Sequence, residues 1–202
     1  MLKRWIPALA LPAMLTAALP AGAGPTVRFE VTPAGNEVRY RVTEQLAGFD
    51  LPNDAVGKTS AVTGAVVLDS AGKVVANDSR ITATVSGLAS DRSRRDGYVR
   101  SRILETDSFP TVTLRPTAIE GLPWPLPASG TASFTLAGDL TIKGVTRPSS
   151  WTVMAAFRGD TVSGLAATAF TFTDFALAQP RVPIVLSVGD TIRLEYDFVM
   201  VR

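Results

Sequence analysis

The sequence predicts an all-β chain with antiparallel strands. Short runs in which apolar and polar residues alternate recur along the chain, from residues 27–31 to residues 192–198. The runs are rich in β-branched and aromatic residues, which favour a strand with one buried face. Turn-forming pairs such as Lys143-Gly144 and Gly159-Asp160 separate neighbouring runs, as expected where a tight hairpin joins two antiparallel strands.

Nine alternating runs supply the predicted strands. Their main apolar members, in chain order, are Val27, Phe29 and Val31; Val38, Tyr40 and Val42; Val62, Val66 and Leu68; Ile81, Ala83 and Val85; Val112 and Leu114; Phe134 and Leu136; Trp151, Val153, Ala155 and Phe157; Phe170 and Phe172; and Ile192, Leu194, Tyr196 and Phe198. A further turn signal, residues 69–73, follows the third run. Eight or nine strands joined mostly by short loops either close into a barrel or stack as a sandwich.

The segment 91–104 breaks the two-residue period and predicts one short surface helix in a connection. Its charged residues are Asp91, Arg92, Arg94, Arg95, Asp96, Arg100 and Arg102. Ser90 or Asp91 would cap the start of the helix, and Pro110 would follow its end. The five arginines either form a solvated face with local ion pairs or meet a phosphate or an anionic membrane surface.

The segment 121–127 contains three prolines and predicts an extended loop after the Val112 strand. Trp124 is the only aromatic residue of this segment. Its side chain either packs against the rim of the fold or acts as a lid.

Residues 1–23 carry the features of a secretory signal peptide. Lys3 and Arg4 give a positive start, residues 5–19 are apolar and uncharged, and residues 21–23 (Ala-Gly-Ala) form a small-residue cleavage pattern. A transmembrane anchor would need about 20 apolar residues, and this shorter stretch is interrupted by prolines. We therefore expect cleavage after Ala23, a single domain over residues 24–202, and a periplasmic or secreted bacterial location.

Composition narrows the function. The chain has 20 basic and 18 acidic residues, and the two numbers become equal once Lys3 and Arg4 are removed. No sustained basic patch with interleaved aromatic residues is found, so we expect no nucleic-acid partner. The absence of cysteine and histidine excludes disulfides, most metal and haem sites, and Ser-His or Cys-His nucleophile pairs. We expect neither a metal nor a cofactor.

Catalysis would have to depend on carboxylates, lysine or a bare hydroxyl group. Two acid–base pairs are conceivable: Asp91 with Asp96, or Asp174 with Glu195. Nothing in the sequence places either pair together, and carboxylates at turns and helix starts are common without any catalytic role. The sequence therefore argues against an enzyme.

Four segments carry a family resemblance. Residues 138–148 (GDLTIKGVTRP) closely resemble the G-x-L-T-I-K-G-V-T-K-P hairpin of the YceI-like family. Residues 95–101 (RDGYVRS) and 108–114 (SFPTVTL) resemble that family's R-D-x-x-L-R-S and Y-P-T-I-T-F segments. Residues 172–177 (FTDFAL) are similar to its R-x-D-F-G-I segment. Together these matches span most of the mature chain, roughly from Val27 to the end.

The resemblance implies a lipocalin-like, antiparallel barrel of eight strands with one short helix in a connection. It also implies a non-catalytic periplasmic or secreted protein that holds an isoprenoid-type lipid, a polyprenol or a quinone, along the barrel axis. The sequence departs from the family pattern at Phe172, where relatives have arginine, at Tyr98, where histidine is common, and at residues 103–105 (Ile-Leu-Glu), which replace Phe-Phe-Asp. A head-group contact made by those polar residues in relatives need not exist here.

The bulky apolar residues of the inward faces are the candidate ligand-binding residues. They are Phe29, Tyr40, Phe134, Leu136, Trp151, Phe157, Phe170, Phe172 and Tyr196. An eight-stranded barrel is just wide enough for packed side chains or for one slim ligand, so these residues either line a cavity or fill a closed core. The resemblance favours the cavity.

The alternative function is a small outer-membrane or structural barrel with a packed interior and no ligand. Such membrane barrels have longer strands and aromatic girdles at both interfaces, whereas several alternating runs here are shorter. The sequence allows two further partners. One is a membrane surface, contacted through the arginine-rich segment, and the other is a second copy of the chain, in a homodimer formed at an open barrel mouth.

Overall fold

The computed structural model describes residues 24–48 and 50–202, so the expected signal peptide, residues 1–23, lies outside the described residues. The strands are β1 (Val27–Val31), β2 (Glu37–Leu46), β3 (Asn53–Thr59), β4 (Val62–Leu68), β5 (Arg80–Thr84), β6 (Ala89–Ser90), β7 (Thr111–Glu120), β8 (Ser129–Ile142), β9 (Val145–Arg158), β10 (Thr161–Thr171), β11 (Val185–Val188) and β12 (Thr191–Val201). The helix α1 (Ser93–Tyr98) continues into a π-helical segment (Val99–Leu104), and a 3₁₀ turn covers Phe172–Phe175. No helix in the described ranges is long and apolar enough to span a bilayer.

Eight strands close into an antiparallel barrel, which confirms the predicted fold class. Their order around the barrel is β1, β4, β5, β7, β8, β9, β10 and β12. Pairing between β1 and β12, with Glu30 opposite Val201, closes the ring. Closure pairs strand edges that would otherwise expose unpaired backbone groups. We call the end at which β7 ends and β8 begins the lower end, and the opposite end the upper end.

Four strands extend one side of the barrel at its upper end, and we call β2, β3, β6 and β11 the upper wall. β2 pairs with the first half of β12, which places Tyr40 opposite Leu194. β3 and β11 pair with β2, and β6 pairs with β3. The same edge of β12 therefore meets β2 in its upper half and β1 at its lower end. This arrangement makes the upper half of the barrel taller on one side.

The predicted hairpin turns are confirmed. Lys143 and Gly144 join β8 to β9 with φ angles of 47° and 74°, the positive pair that a two-residue hairpin requires. Gly159, with a φ of 59°, lies in the turn between β9 and β10. In the 69–73 turn, the Asp69 backbone N–H donates to the Lys73 carbonyl at 2.8 Å.

The predicted helix is present in the connection between β6 and β7, but its start differs from the expectation. Arg92 is the N-cap residue and makes no side-chain capping bond. Ser90 instead binds the buried Asp96 carboxylate through its backbone N–H, at 2.8 Å, and through its hydroxyl. The π-helical segment ends at Glu105, which has a left-handed backbone and pairs with Lys143 Nζ at 2.6 Å.

The lower end is covered by the 121–127 loop. Leu122, Trp124 and Leu126 are partly buried and pack against the hydrophobic core. The Trp124 indole N–H donates to the Ser70 carbonyl at 3.1 Å. Its ring lies so close to Gly72 that a β-carbon there would come within 2.6 Å of it. Trp124 thus packs against the 69–73 turn at the lower rim.

Candidate functional site

The upper half of the barrel encloses a cavity of about 680 Å³, which lies within the range of small-molecule sites. The barrel strands and β2 line it with Val42, Ala83, Val112, Ile142, Ile192 and Leu194. The helical connection adds Tyr98, Val99, Ile103 and Leu104. The segment before β12 adds Leu177, Val182, Ile184 and Val188. The wall is therefore mainly aliphatic and aromatic.

A polar cluster lies at the mouth of this upper cavity. Arg95 donates to the Glu44 carboxylate at 2.5 Å, and the side chains of both residues are largely buried. Arg95 also pairs with Asp91, whose side chain is exposed. Burial acts to lower the pKa of Arg95, but Glu44 and Asp91 outweigh it and raise that pKa above its usual value. The pair joins α1 to β2 across the mouth and keeps its charges compensated.

Tyr40 stands on the wall beside this cluster. Its ring packs over Gly57 on the neighbouring strand β3, where a β-carbon would approach the ring to 2.4 Å. Burial raises the pKa of Tyr40 to about 12, so its hydroxyl group is neutral at ordinary pH. The residue thus offers the cavity an aromatic face and an uncharged hydroxyl.

A second cavity of about 100 Å³ lies in the lower half. Six of the nine candidate residues line it: Phe29, Phe134, Leu136, Trp151, Phe157 and Tyr196. The other three, Tyr40, Phe170 and Phe172, line the upper cavity. The structure therefore brings all nine into the barrel interior but divides them between two levels. Their role in ligand binding stays a prediction.

The sequence pattern missed much of the lining of the upper cavity. Tyr98, Ile103 and Leu104 belong to a segment predicted as a surface helix, yet they line the cavity. Val182, Ile184 and Val188 lie in a segment for which no strand was predicted. The run of β-branched and aliphatic residues at 182–188 was the signal that could have indicated them.

The carboxylates considered as acid–base pairs each have another partner. Asp96 accepts hydrogen bonds from Ser90, and Asp174 accepts from the backbone and hydroxyl of Thr171, which lowers the pKa of Asp174. Glu195 forms an ion pair with Arg39 at 2.5 Å, which lowers the pKa of Glu195. Among the described residues, no group of three or more acidic side chains could hold a metal ion.

The family model of the YceI-like domain matches residues 29–200 of this sequence. The chain belongs to the YceI-like family. Solved structures with the same fold include BcnA from Burkholderia cenocepacia, at 18% identity and a TM-score of 0.61, with coverage of 84% of this chain and 98% of BcnA. No curated protein matches the chain in sequence.

Two further structures resemble this YceI-like chain. One is a polyisoprenoid binding domain from Saccharophagus degradans implicated in plant cell wall breakdown. It is 9% identical with a TM-score of 0.63, and the match covers 86% of this chain and 97% of that domain. The other is the YceI protein of Campylobacter jejuni, with 15% identity, a TM-score of 0.59, and coverage of 78% and 90%. At these identities the likeness establishes a shared fold.

The positions at which this YceI-like chain departs from the family pattern share one location. Phe172, Tyr98, Ile103 and Leu104 all line the upper cavity. The side chains at these four positions add aromatic and aliphatic surface to its wall.

Proposed function

We propose that this YceI-like protein is a non-catalytic carrier that holds an isoprenoid-type lipid, a polyprenol or a quinone, in its upper cavity. The observation that supports this most is the 680 Å³ cavity, whose wall is mainly apolar and whose charged groups lie at one end. Burial of apolar area contributes about 25 cal/mol per Å². Transfer of an extended hydrocarbon into this cavity would therefore favour binding without any reactive group.

The polar end of the lipid would lie at the mouth. Arg95 and Glu44 form a charge-compensated pair there, and the uncharged Tyr40 hydroxyl lies in the same lining. An uncharged hydroxyl or carbonyl head group would suit these groups, since it could exchange hydrogen bonds without breaking the ion pair. Periplasmic or secreted location is part of the proposal and is supported by the sequence pattern of residues 1–23.

Contact with an anionic membrane surface would let a lipid pass between the bilayer and the cavity. Leu51, Ile184 and Leu186 are 77%, 58% and 65% exposed. A hydrogen bond from the Ala47 backbone N–H to the Ile184 carbonyl, at 2.9 Å, joins the chain just after β2 to the segment that bears Ile184 and Leu186. The exposed Arg92 and Arg94 line the same mouth and would face lipid phosphates. Co-sedimentation with anionic and neutral vesicles tests this contact.

Native mass spectrometry of protein purified from its own periplasm without detergent tests the carrier function. A stoichiometric hydrophobic mass, identified after solvent extraction, is the expected result. The spectrum also reports whether two copies associate. A spectrum of unliganded protein, with no uptake of added prenols or quinones, would contradict the proposal and favour a structural barrel.

Two substitutions provide a matched comparison. Leu104 lines the cavity from the π-helical segment, so Leu104→Asp places a carboxylate in the apolar wall and should abolish retention. Leu186→Asp makes the same chemical change at an exposed position outside this cavity and should leave retention in the absence of membranes unchanged. Circular dichroism confirms that both variants are folded. Equal retention by the two variants would argue against the upper cavity as the site.

A further inference from the structure

The barrel interior is divided across its axis. Within residues 24–48 and 50–202, the upper and lower cavities have no lining residue in common. On β12, Leu194 lines the upper cavity, whereas Tyr196, the next residue on the same face, lines the lower one. The same change occurs on β7 between Val112 and Leu114.

The division lies at one level on adjacent strands. Ile81, Leu114 and Leu140 are register neighbours across β5, β7 and β8, so their side chains form a continuous row. Leu140 is fully buried and lines neither cavity, while Ile142, two residues above it, lines the upper one. Ile81 and Leu114 line only the lower cavity, so this row lies at the boundary between the two cavities on that side of the barrel.

Tyr196 completes the division on the opposite side. It pairs with Ala166 of β10 and with Val38 of β2. Its hydroxyl group donates to Asn36 Oδ1 at 2.8 Å in a buried hydrogen bond. That bond holds the ring in one position, because any other rotamer would leave a buried polar group unsatisfied. We call Ile81, Leu114, Leu140 and Tyr196 the floor.

We propose that the floor limits the chain length of the bound isoprenoid to about four isoprene units, which makes this protein selective for a short prenyl chain. The inference depends on the proposed lipid-carrier function and adds the size class of the ligand. A volume of 680 Å³ divided by the roughly 30 Å³ that a water-sized group occupies in a liquid gives about 23 heavy atoms. A prenol of four five-carbon units has about 21 heavy atoms and fits this number, whereas one of five units has about 26 and exceeds it. The lower cavity, at about 100 Å³, has no room for a fifth unit.

Binding of a series of prenols tests the limit. Prenols with two, three, four, six and nine isoprene units are titrated into detergent-free protein and the complexes are quantified by native mass spectrometry. Each unit up to the fourth should tighten binding about tenfold, as expected for ligand atoms that become buried. Units beyond the fourth should change affinity by less than about twofold, because a tail that reaches the floor leaves the units nearest the head group outside the mouth.

Substitutions above and within the floor should move the limit in opposite directions. Ala83 lies two residues above Ile81 on β5 and lines the upper cavity. Ala83→Leu should therefore shorten the preferred chain by about one unit. Leu140→Ala should open the floor towards the lower cavity and extend the preference beyond four units. Met200→Ala is the control, because Met200 lines only the lower cavity and should leave the limit unchanged.

The outcomes separate this inference from the carrier function. Affinity that keeps rising tenfold per unit to nine units would overturn the floor while supporting a lipid carrier. A limit that stays at four units in both Ala83→Leu and Leu140→Ala would also overturn it. Failure of every prenol to bind would instead contradict the carrier function itself. Ala83→Leu fills space and retains the core, so it keeps the test decisive even if Leu140→Ala fails to fold.

Discussion

Replacement of Arg95 by methionine should destabilise the protein through the charge that it leaves behind. The side chains of Arg95 and Glu44 are 13% and 8% exposed. Without Arg95, the hydrogen-bond partner left to the Glu44 carboxylate within residues 24–48 and 50–202 is the Asn53 amide, at a marginal 3.5 Å. Removal of one partner from a buried pair costs about 3–5 kcal/mol, and residual solvent contact of Arg95 reduces this to about 2–4 kcal/mol. The contact with the exposed Asp91 adds little.

Urea unfolding followed by far-UV circular dichroism measures this change by linear extrapolation. For a domain of this size, the melting temperature should fall by roughly 5–15 °C, given about 2–4 °C per kcal/mol. Asp91→Asn should stay within about 1 kcal/mol of the parent protein. The double variant Arg95→Met with Glu44→Met should recover much of the loss, because neither charge is then left unpaired. A loss below about 1 kcal/mol for Arg95→Met, or no recovery in the double variant, would refute this reasoning.

Three other predictions concern the barrel wall. Tyr196→Phe should cost about 1 kcal/mol in urea unfolding, because it removes a buried hydrogen bond, and an unchanged midpoint would contradict that. Arg39 lowers the pKa of Glu195 below its ordinary value of 4.5. The pair therefore stabilises the fold at pH values above 4.5, and this stabilisation is lost as the pH falls through the lower pKa of the folded state. Arg39→Met should flatten the acid limb of a stability–pH profile. Gly57→Ala should cost about 1–3 kcal/mol by overpacking Tyr40, whereas a neutral effect would show that the ring can move freely.

Much of the barrel could be predicted because its strands have one buried face. The period of two at Trp151, Val153, Ala155 and Phe157 reflects a strand whose alternate side chains enter the core, and all four are buried. The turn at Lys143-Gly144 was predictable for a similarly local reason, since two positive φ angles restrict the residue choice.

Three strands of the upper wall, β3, β6 and β11, escaped prediction because they lack that signal, whereas β2 contains the predicted run at Val38, Tyr40 and Val42. β3 reads Asn-Asp-Ala-Val-Gly-Lys-Thr and contains residues that are depleted in strands, so its position depends on pairing with β2. β11 has only four residues and pairs with β2 across a register shift. These contacts join segments that are distant in sequence, and no local pattern encodes them.

The level at which each candidate residue lies was equally inaccessible. Alternation shows that Phe170 and Tyr196 point inwards, but it carries no information on their height along the barrel axis. That height depends on the stagger between neighbouring strands. In the structure Phe170 lies with the upper cavity and Tyr196 with the lower one.

The positions of the tryptophans determine what optical spectroscopy can report on this protein. Within residues 24–202 the tryptophans are Trp124, against the 69–73 turn, and Trp151, in the lining of the lower cavity. Both indoles are thus in the lower half of the barrel, below the floor. Intrinsic tryptophan emission will therefore follow unfolding of the lower half and stay nearly constant when the upper cavity fills. Fluorescence titrations of ligand binding consequently need a reporter near the mouth, such as a tryptophan introduced at Leu104.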